Sequence, residues 1–188
     1  MNNLLNFFFN SQIIKTYNRN LNLKGFTPLG LFWNSKKSQY DRFDTLLFLI
    51  MKFKFKNQLR ISDIGCGYGS LLAYLREKKI NFYYSGYDIN KNLIKHCIKN
   101  YPETFFKVSY FPTEFTDITI ASGTYNYTAT DNVKIWEEYI IFNLKKCMAK
   151  SKLGLIFNLQ FTKKESFIKN NIYYLSLIHI SEPTRRPI

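Results

Sequence analysis

The stretch Arg60-Ile61-Ser62-Asp63-Ile64-Gly65-Cys66-Gly67-Tyr68-Gly69-Ser70-Leu71-Leu72 decides the fold. It reads as a buried strand, a glycine turn and a helix start, in the pattern D-x-G-x-G-x-G. Glycines at 65, 67 and 69 let the backbone turn sharply and let a ligand approach with no Cβ in the way. The free N–H groups of the following helix point at that ligand. Asp63, just before the turn, repels a phosphate and suits an ammonium group. Nineteen residues past Gly69, the run Phe82-Tyr83-Tyr84-Ser85-Gly86-Tyr87-Asp88 ends in a carboxylate. An acid at the tip of a second strand can accept hydrogen bonds from both hydroxyls of a ribose.

Strands and helices alternate outward from this centre. Residues 60–64 are expected as the first strand, 68–79 as a helix, 81–88 as the second strand and 91–100 as the next helix. Further strands are expected at 104–110, 117–122 and 155–161, with a long helix over 132–148. Residues 1–18 read as an irregular amphipathic helix or arm and 19–34 as loop. Residues 35–52 read as a helix capped by Ser35. The fold class is therefore α/β: a Rossmann-like, doubly wound, mainly parallel sheet with helices on both faces. Its ligand belongs outside the carboxyl ends of strands one and four.

The Asp63–Gly69 element and Asp88 together resemble class I S-adenosylmethionine-dependent methyltransferases over about residues 30–174. The resemblance implies S-adenosyl-L-methionine as cofactor. It assigns cofactor contacts to Asp63, Gly65, Cys66, Gly67, Gly69, Asp88 and the adjoining Ile89, and to Ser122. Two other readings stay open for the turn. One is a dinucleotide-binding fingerprint, which would want glycine where Ser70 stands. The other is a strand-to-helix turn with no ligand.

A second resemblance lies in Leu31-Phe32-Trp33-Asn34-Ser35-Lys36-Lys37-Ser38-Gln39-Tyr40-Asp41-Arg42-Phe43 and in Ala121-Ser122-Gly123-Thr124-Tyr125-Asn126. These are similar to the lead-in and the post-strand-four turn of a small, mostly uncharacterised methyltransferase subgroup. Arg42 is the candidate partner for the methionine carboxylate, by a bidentate pair. Trp33 and Gln39 are candidate pocket walls. Tyr125 and Asn126 are the candidates for contacting the methyl acceptor, with catalytic residues otherwise unassigned. Many relatives end strand three with an acid that meets adenine. Here Ser109 and Tyr110 stand there, with Glu114 as a substitute.

Methyl transfer is an in-line displacement at an already activated carbon, so alignment supplies much of the rate. A base is needed only if the acceptor must lose a proton early. Neither His96 nor His179 reads as one. The prolines of amino-group DNA methylases are absent at 123–124, and no Pro-Cys nucleophile occurs. A small-molecule acceptor is favoured over RNA or protein. A cofactor-binding module without activity is the further alternative.

The 188 residues suffice for one core. The net charge of +14 invites a nucleic-acid partner. However, the 21 lysines against 6 arginines are scattered in pairs, as on solvated helix faces. Three separated cysteines give neither a disulfide framework nor a metal site and suit a reducing, cytoplasmic compartment. No run is long enough to span a bilayer. The oligomeric state is not legible. The expected organisation is an N-terminal helical arm and loop (1–34), a methyltransferase domain (35–174) with about five of the usual seven strands, and a non-native tail (175–188). The tail departs in composition, with Pro183, Pro187, Arg185 and Arg186 clustered after a Lys/Asn-rich chain.

Overall fold

The structure is a computed structural model describing residues 3–52 and 58–176. Five strands form one parallel sheet: β1 (Arg60–Ile64), β2 (Tyr83–Asp88), β3 (Phe105–Val108), β4 (Thr116–Ala121) and β5 (Ser151–Phe157). Their order is β3-β2-β1-β4-β5. The chain therefore reverses direction across the sheet between β1 and β4, where a crevice opens at the carboxyl ends. Asp63 lies opposite Gly86 on β2 and Ile120 on β4, so the glycine turn starts level with both strand tips.

The helices cover both faces. Helices α2 (Lys36–Ile50) and α3 (Ser70–Glu77) bury Phe43, Leu46, Ile50, Leu71 and Tyr74 against Ile61, Ile118 and Ile120. Helices α1 (Asn3–Lys24) and α5 (Val133–Met148) bury Phe9, Trp136, Tyr139 and Ile140 against Ile64, Tyr87 and Ala121. Between α3 and α4 (Lys91–Asn100), Leu72, Ile94 and Cys97 pack with Cys66 and Phe106. Burial of this apolar surface is the main force holding the layers together. Local signals start the helices where the packing needs them. Ser35 and Ser38 make a reciprocal capping box on α2, and Asn90 and Asn132 cap α4 and α5 through their side chains.

Three expectations are corrected. The fifth strand is Ser151–Phe157, not 155–161. The first helix runs to Lys24 instead of giving way to loop at residue 19. Leu21 is buried there, and the Gly25 N–H bonds to the Leu21 carbonyl to close the helix. A second sheet follows β5, made of β6 (Gln160–Thr162), β7 (Phe167–Lys169) and β8 (Ile172–Ser176) in the order β6-β8-β7. Leu175 and Ser176, assigned from sequence to the tail, pair with Phe161 and Thr162. The remainder of the tail, 177–188 with His179, lies outside the described residues.

Candidate active-site cleft

The glycine turn is pinned to the second strand. Both the Gly65 and Cys66 N–H groups donate to the Tyr87 carbonyl, at 2.8 and 3.1 Å. Gly65, Gly67 and Gly69 have φ of +71°, +59° and +87°, the left-handed region that disfavours any side chain. A Cβ at Gly65 would come within 2.7 Å of Thr124 Oγ1, and one at Gly67 would collide with Leu31 Cδ1. The cradle is thus shaped by absent side chains.

Asp88 ends β2 beside this turn. Its Oδ2 accepts from Gly67 N at 3.0 Å and its Oδ1 from Asn90 N at 2.8 Å. Burial raises its pKa to about 6, against the lowering effect of these N–H donors. Each oxygen keeps lone-pair capacity for a further donor. Asp63 is placed differently. It is buried, accepts from the Tyr84 hydroxyl at 2.7 Å, and titrates near 7 because burial outweighs that hydrogen bond.

A cleft of about 350 Å³ opens over Gly65, Gly67, Asp88 and Ile89 and runs past Ser122, Gly123 and Asn126 to Gln160 and Tyr174 of the small sheet. Its far wall joins the two segments of the second resemblance. Trp33 packs against the Gly123 backbone, and the Arg42 guanidinium lies 4.7 Å from the centre of the Trp33 ring. This is cation–π distance. Arg42 is half-buried, and burial lowers its pKa. Asn126 Oδ1 accepts from Gln160 N at 3.1 Å, which fixes the amide with its Nδ2 beside Trp33 and Gly123. Ser122 Oγ is buried without a partner.

Helix α1 roofs the cleft. At one end Asn6 and Asn10 bond Asn143 and Tyr139 of α5. At the other, Asn18 Oδ1 accepts from the side chains of Asn90 and Asn92 on α4. Between these anchors Tyr17 meets Phe32 and Tyr127 edge-on. Burial raises the Tyr17 pKa, with Asp88 adding to the effect.

The structure brings Gly65, Gly67, Asp88, Ile89, Arg42, Ser122, Trp33 and Asn126 onto one cleft. Asp63, Cys66, Gly69, Gln39 and Tyr125 do not line it. Cys66 packs in the α3–α4 cluster, and burial pushes its thiol pKa well up. A Cβ at Gly69 would meet Tyr101. Gln39 ties α2 to α3 by donating to Ser70 Oγ at 3.0 Å. Tyr125 is buried in the α5 core, with its hydroxyl beside the Cys147 thiol. Ser109 bonds the backbone of Phe111, Tyr110 stacks on Phe142, and Glu114 is exposed. Leu31, within the quoted lead-in, also lines the cleft. Tyr17 and Gln160 on the wall and Asn18 at the anchor carry no local signal, because only tertiary packing brings them to the site.

Among the described residues no group of three or more His, Cys, Asp and Glu could hold a metal ion. No helix among them is long and apolar enough to cross a membrane.

No protein-family model matches the chain. It is 28% identical over 119 residues to Rv1506c of Mycobacterium tuberculosis, a protein provisionally named a methyltransferase, covering 61% of this chain and 71% of that one. Its fold matches a SAM-dependent methyltransferase from Leishmania major, with TM-score 0.63, 15% identity, and coverage of 87% of this chain and 69% of that one. A magnesium protoporphyrin IX methyltransferase from Synechocystis PCC 6803, solved with bound SAM, aligns with TM-score 0.48 and 16% identity over 73% of this chain. The chain spans 62% of that structure's length, and 51% when the same enzyme is compared with bound SAH.

Proposed function

We infer that this chain is a class I S-adenosylmethionine-dependent methyltransferase, and that it transfers the methyl group to a small-molecule acceptor. The observation that carries this reading is the joint placement of Asp88 and the turn: one carboxylate bonded to Gly67 N at 3.0 Å, on the wall of a cleft above two left-handed glycines. A carboxylate with spare lone pairs there suits two ribose hydroxyls. The turn itself tolerates no side chain, since a Cβ at Gly65 would meet Thr124 and one at Gly67 would meet Leu31.

In this reading the turn at Gly65 and Gly67 would floor the cofactor site, and Asp88 would hold the ribose. Ile89 supplies an apolar contact, and Arg42 pairs with the methionine carboxylate. Asp63 acts from behind the turn, through Tyr84. Asn126 faces the acceptor, and Ser122, expected from the sequence among the cofactor contacts, lies on the same wall. When bound, S-adenosylmethionine supplies a methyl carbon activated by sulfonium. The residues around it would orient the reactants, and helix α1 covers one side of the cleft through Ile13, Ile14 and Tyr17. A cleft of about 350 Å³ roofed by a docked helix favours a small acceptor over a polymer.

Equilibrium dialysis with S-adenosylmethionine and with a nicotinamide dinucleotide tests the cofactor. Binding of the first and not the second is expected; the reverse would make the turn a dinucleotide site. Titrating RNA and DNA oligonucleotides at two salt concentrations tests the acceptor class. Weak binding that fades steeply with salt is expected. Selective binding that persists near physiological salt would replace the small acceptor with a nucleic acid.

A further inference from the structure

We propose that the outer half of the cleft is a carboxylate subsite, and that the acceptor is a small apolar carboxylic acid methylated on oxygen. This rests on the methyltransferase reading and names its substrate class.

The first ground is what the wall offers. Asn126 is nine-tenths buried, and its Oδ1 is committed to Gln160 N. Its orientation is therefore settled, and Nδ2, which has two N–H groups, stands beside Trp33 and Gly123. Ser122 Oγ, on the same wall, is buried with no partner. Leaving a buried hydroxyl such as Ser122 Oγ unpaired costs about 1–3 kcal/mol, which a ligand bonded to it would recover. Neighbouring hydroxyls are already spent: Thr124 Oγ1 donates to the Ile64 carbonyl at 2.6 Å and the Tyr127 hydroxyl to Thr16 at 3.1 Å. The wall thus offers an amide donor held in place at Asn126 and a hydroxyl without a partner at Ser122, as an oxygen-rich ligand group needs.

The second ground is what the wall lacks. No His, Lys, Glu or Cys lines the cleft among the described residues, and its one acid, Asp88, is held by backbone N–H groups that include those of Gly67 and Asn90. Alcohols and phenols would need a base to lose their proton. A carboxylic acid is already ionised at neutral pH, with an ordinary pKa near ~4. One carboxylate oxygen bonds to the methyl carbon as the carbon–sulfur bond breaks. The electron pair stays on sulfur, and no proton moves. A negative and a positive charge become two neutral groups, a change that apolar walls such as Trp33 and Tyr127 favour.

The decisive variant is Asn126→Asp. An aspartate oxygen still accepts from Gln160 N, but the donor facing the cleft becomes a negatively charged acceptor. The probes are phenylacetate, phenylacetamide and benzylamine, titrated calorimetrically into the full chain with and without S-adenosylhomocysteine. Phenylacetate is expected to bind at least about tenfold more tightly than phenylacetamide, and Asn126→Asp to erase that preference while S-adenosylmethionine affinity stays within about threefold. With methyl-labelled S-adenosylmethionine, acids are expected to gain a label released as methanol by mild alkali. Equal or tighter binding of the amide or the amine would overturn the proposal. So would no phenylacetate binding up to ~10 mM, an unaffected Asn126→Asp chain, or label passing to amines, phenols or thiols instead. A chain that prefers phenylacetate but fails to bind S-adenosylmethionine would reject the methyltransferase reading and leave the carboxylate subsite standing.

Discussion

Trp33 rests on Gly123: its Cζ2 atom lies 3.0 Å from where a Cβ at that position would stand. Gly123 has φ of +72°, so alanine there meets both backbone strain and the indole. The contact joins the segment before β1 to the turn after β4, and Arg42 stacks on the same indole. Gly123→Ala is expected to cost about 1–3 kcal/mol in urea unfolding. It should also change Trp33 emission, which can be isolated from the fully buried Trp136 in a Trp136→Phe background. Unchanged stability and emission would mean that the wall is not built on this contact.

Leu31 occupies the space a side chain at Gly67 would need. Gly67→Ala and Leu31→Ala should therefore not add. The double variant is expected to recover roughly 0.5–3 kcal/mol relative to the sum of the singles, because the smaller residue 31 makes room. The left-handed strain at residue 67 remains in both. Additive losses would show that the roof segment does not press on the turn.

The two buried carboxyls make stability and binding depend on pH in opposite ways. Asp88 titrates at about 6 and Asp63 at about 7, both raised from 3.8 chiefly by burial. Between the ordinary carboxylate range and these values the folded chain holds more protons than the unfolded one, so their contribution to stability falls as pH rises through that window. Asp63→Asn keeps an acceptor for Tyr84, and should flatten the fall and stabilise the chain at pH 8 by roughly 1–3 kcal/mol. On the proposed reading, by contrast, S-adenosylmethionine binds the form in which Asp88 is ionised. Its affinity should drop by about tenfold for each pH step below that pKa and level off above it. Denaturant titrations and calorimetry from pH 5 to 8 read both trends.

Asn18 fastens the roof. One oxygen takes hydrogen bonds from Asn90 and Asn92, and Asn90 in turn caps α4 and donates its N–H to Asp88. Asn18→Ala is expected to cost about 1–2 kcal/mol and to speed hydrogen exchange in the second half of α1. The first half, held by Asn6 and Asn10 on α5, should change little. Uniform exchange across the helix would contradict a two-point anchor.

The parts of this molecule written in local sequence were readable. The turn at 65–69 needs glycine because its φ values demand it, and the period of apolar residues placed β1, β2 and β4 correctly. The fifth strand was misread because Lys152 and Leu153 lie exposed and hide its start, while Leu159 and Phe161 prolong an apolar run past Asn158 into the next sheet. Helix α1 outran its Asn-rich sequence because Leu21 is buried and its asparagines bond to other elements. Tyr125 looked like a cleft residue beside Asn126. Yet neighbours in a turn point apart, and Tyr125 went into the core while Asn126 stayed on the wall. Such choices are made by tertiary packing, which no spacing encodes.

Calorimetric titration of S-adenosylmethionine into the wild-type chain, Asp88→Ala and Gly67→Val tests the central claim most directly. Binding to the wild type is expected, with losses of roughly 1–3 kcal/mol or more in each variant as the carboxylate's hydrogen bonds are removed or a Cβ is forced into the turn. Circular dichroism confirms that each variant is folded before titration. Equal affinity in all three folded chains, or no binding by the wild type, would contradict it.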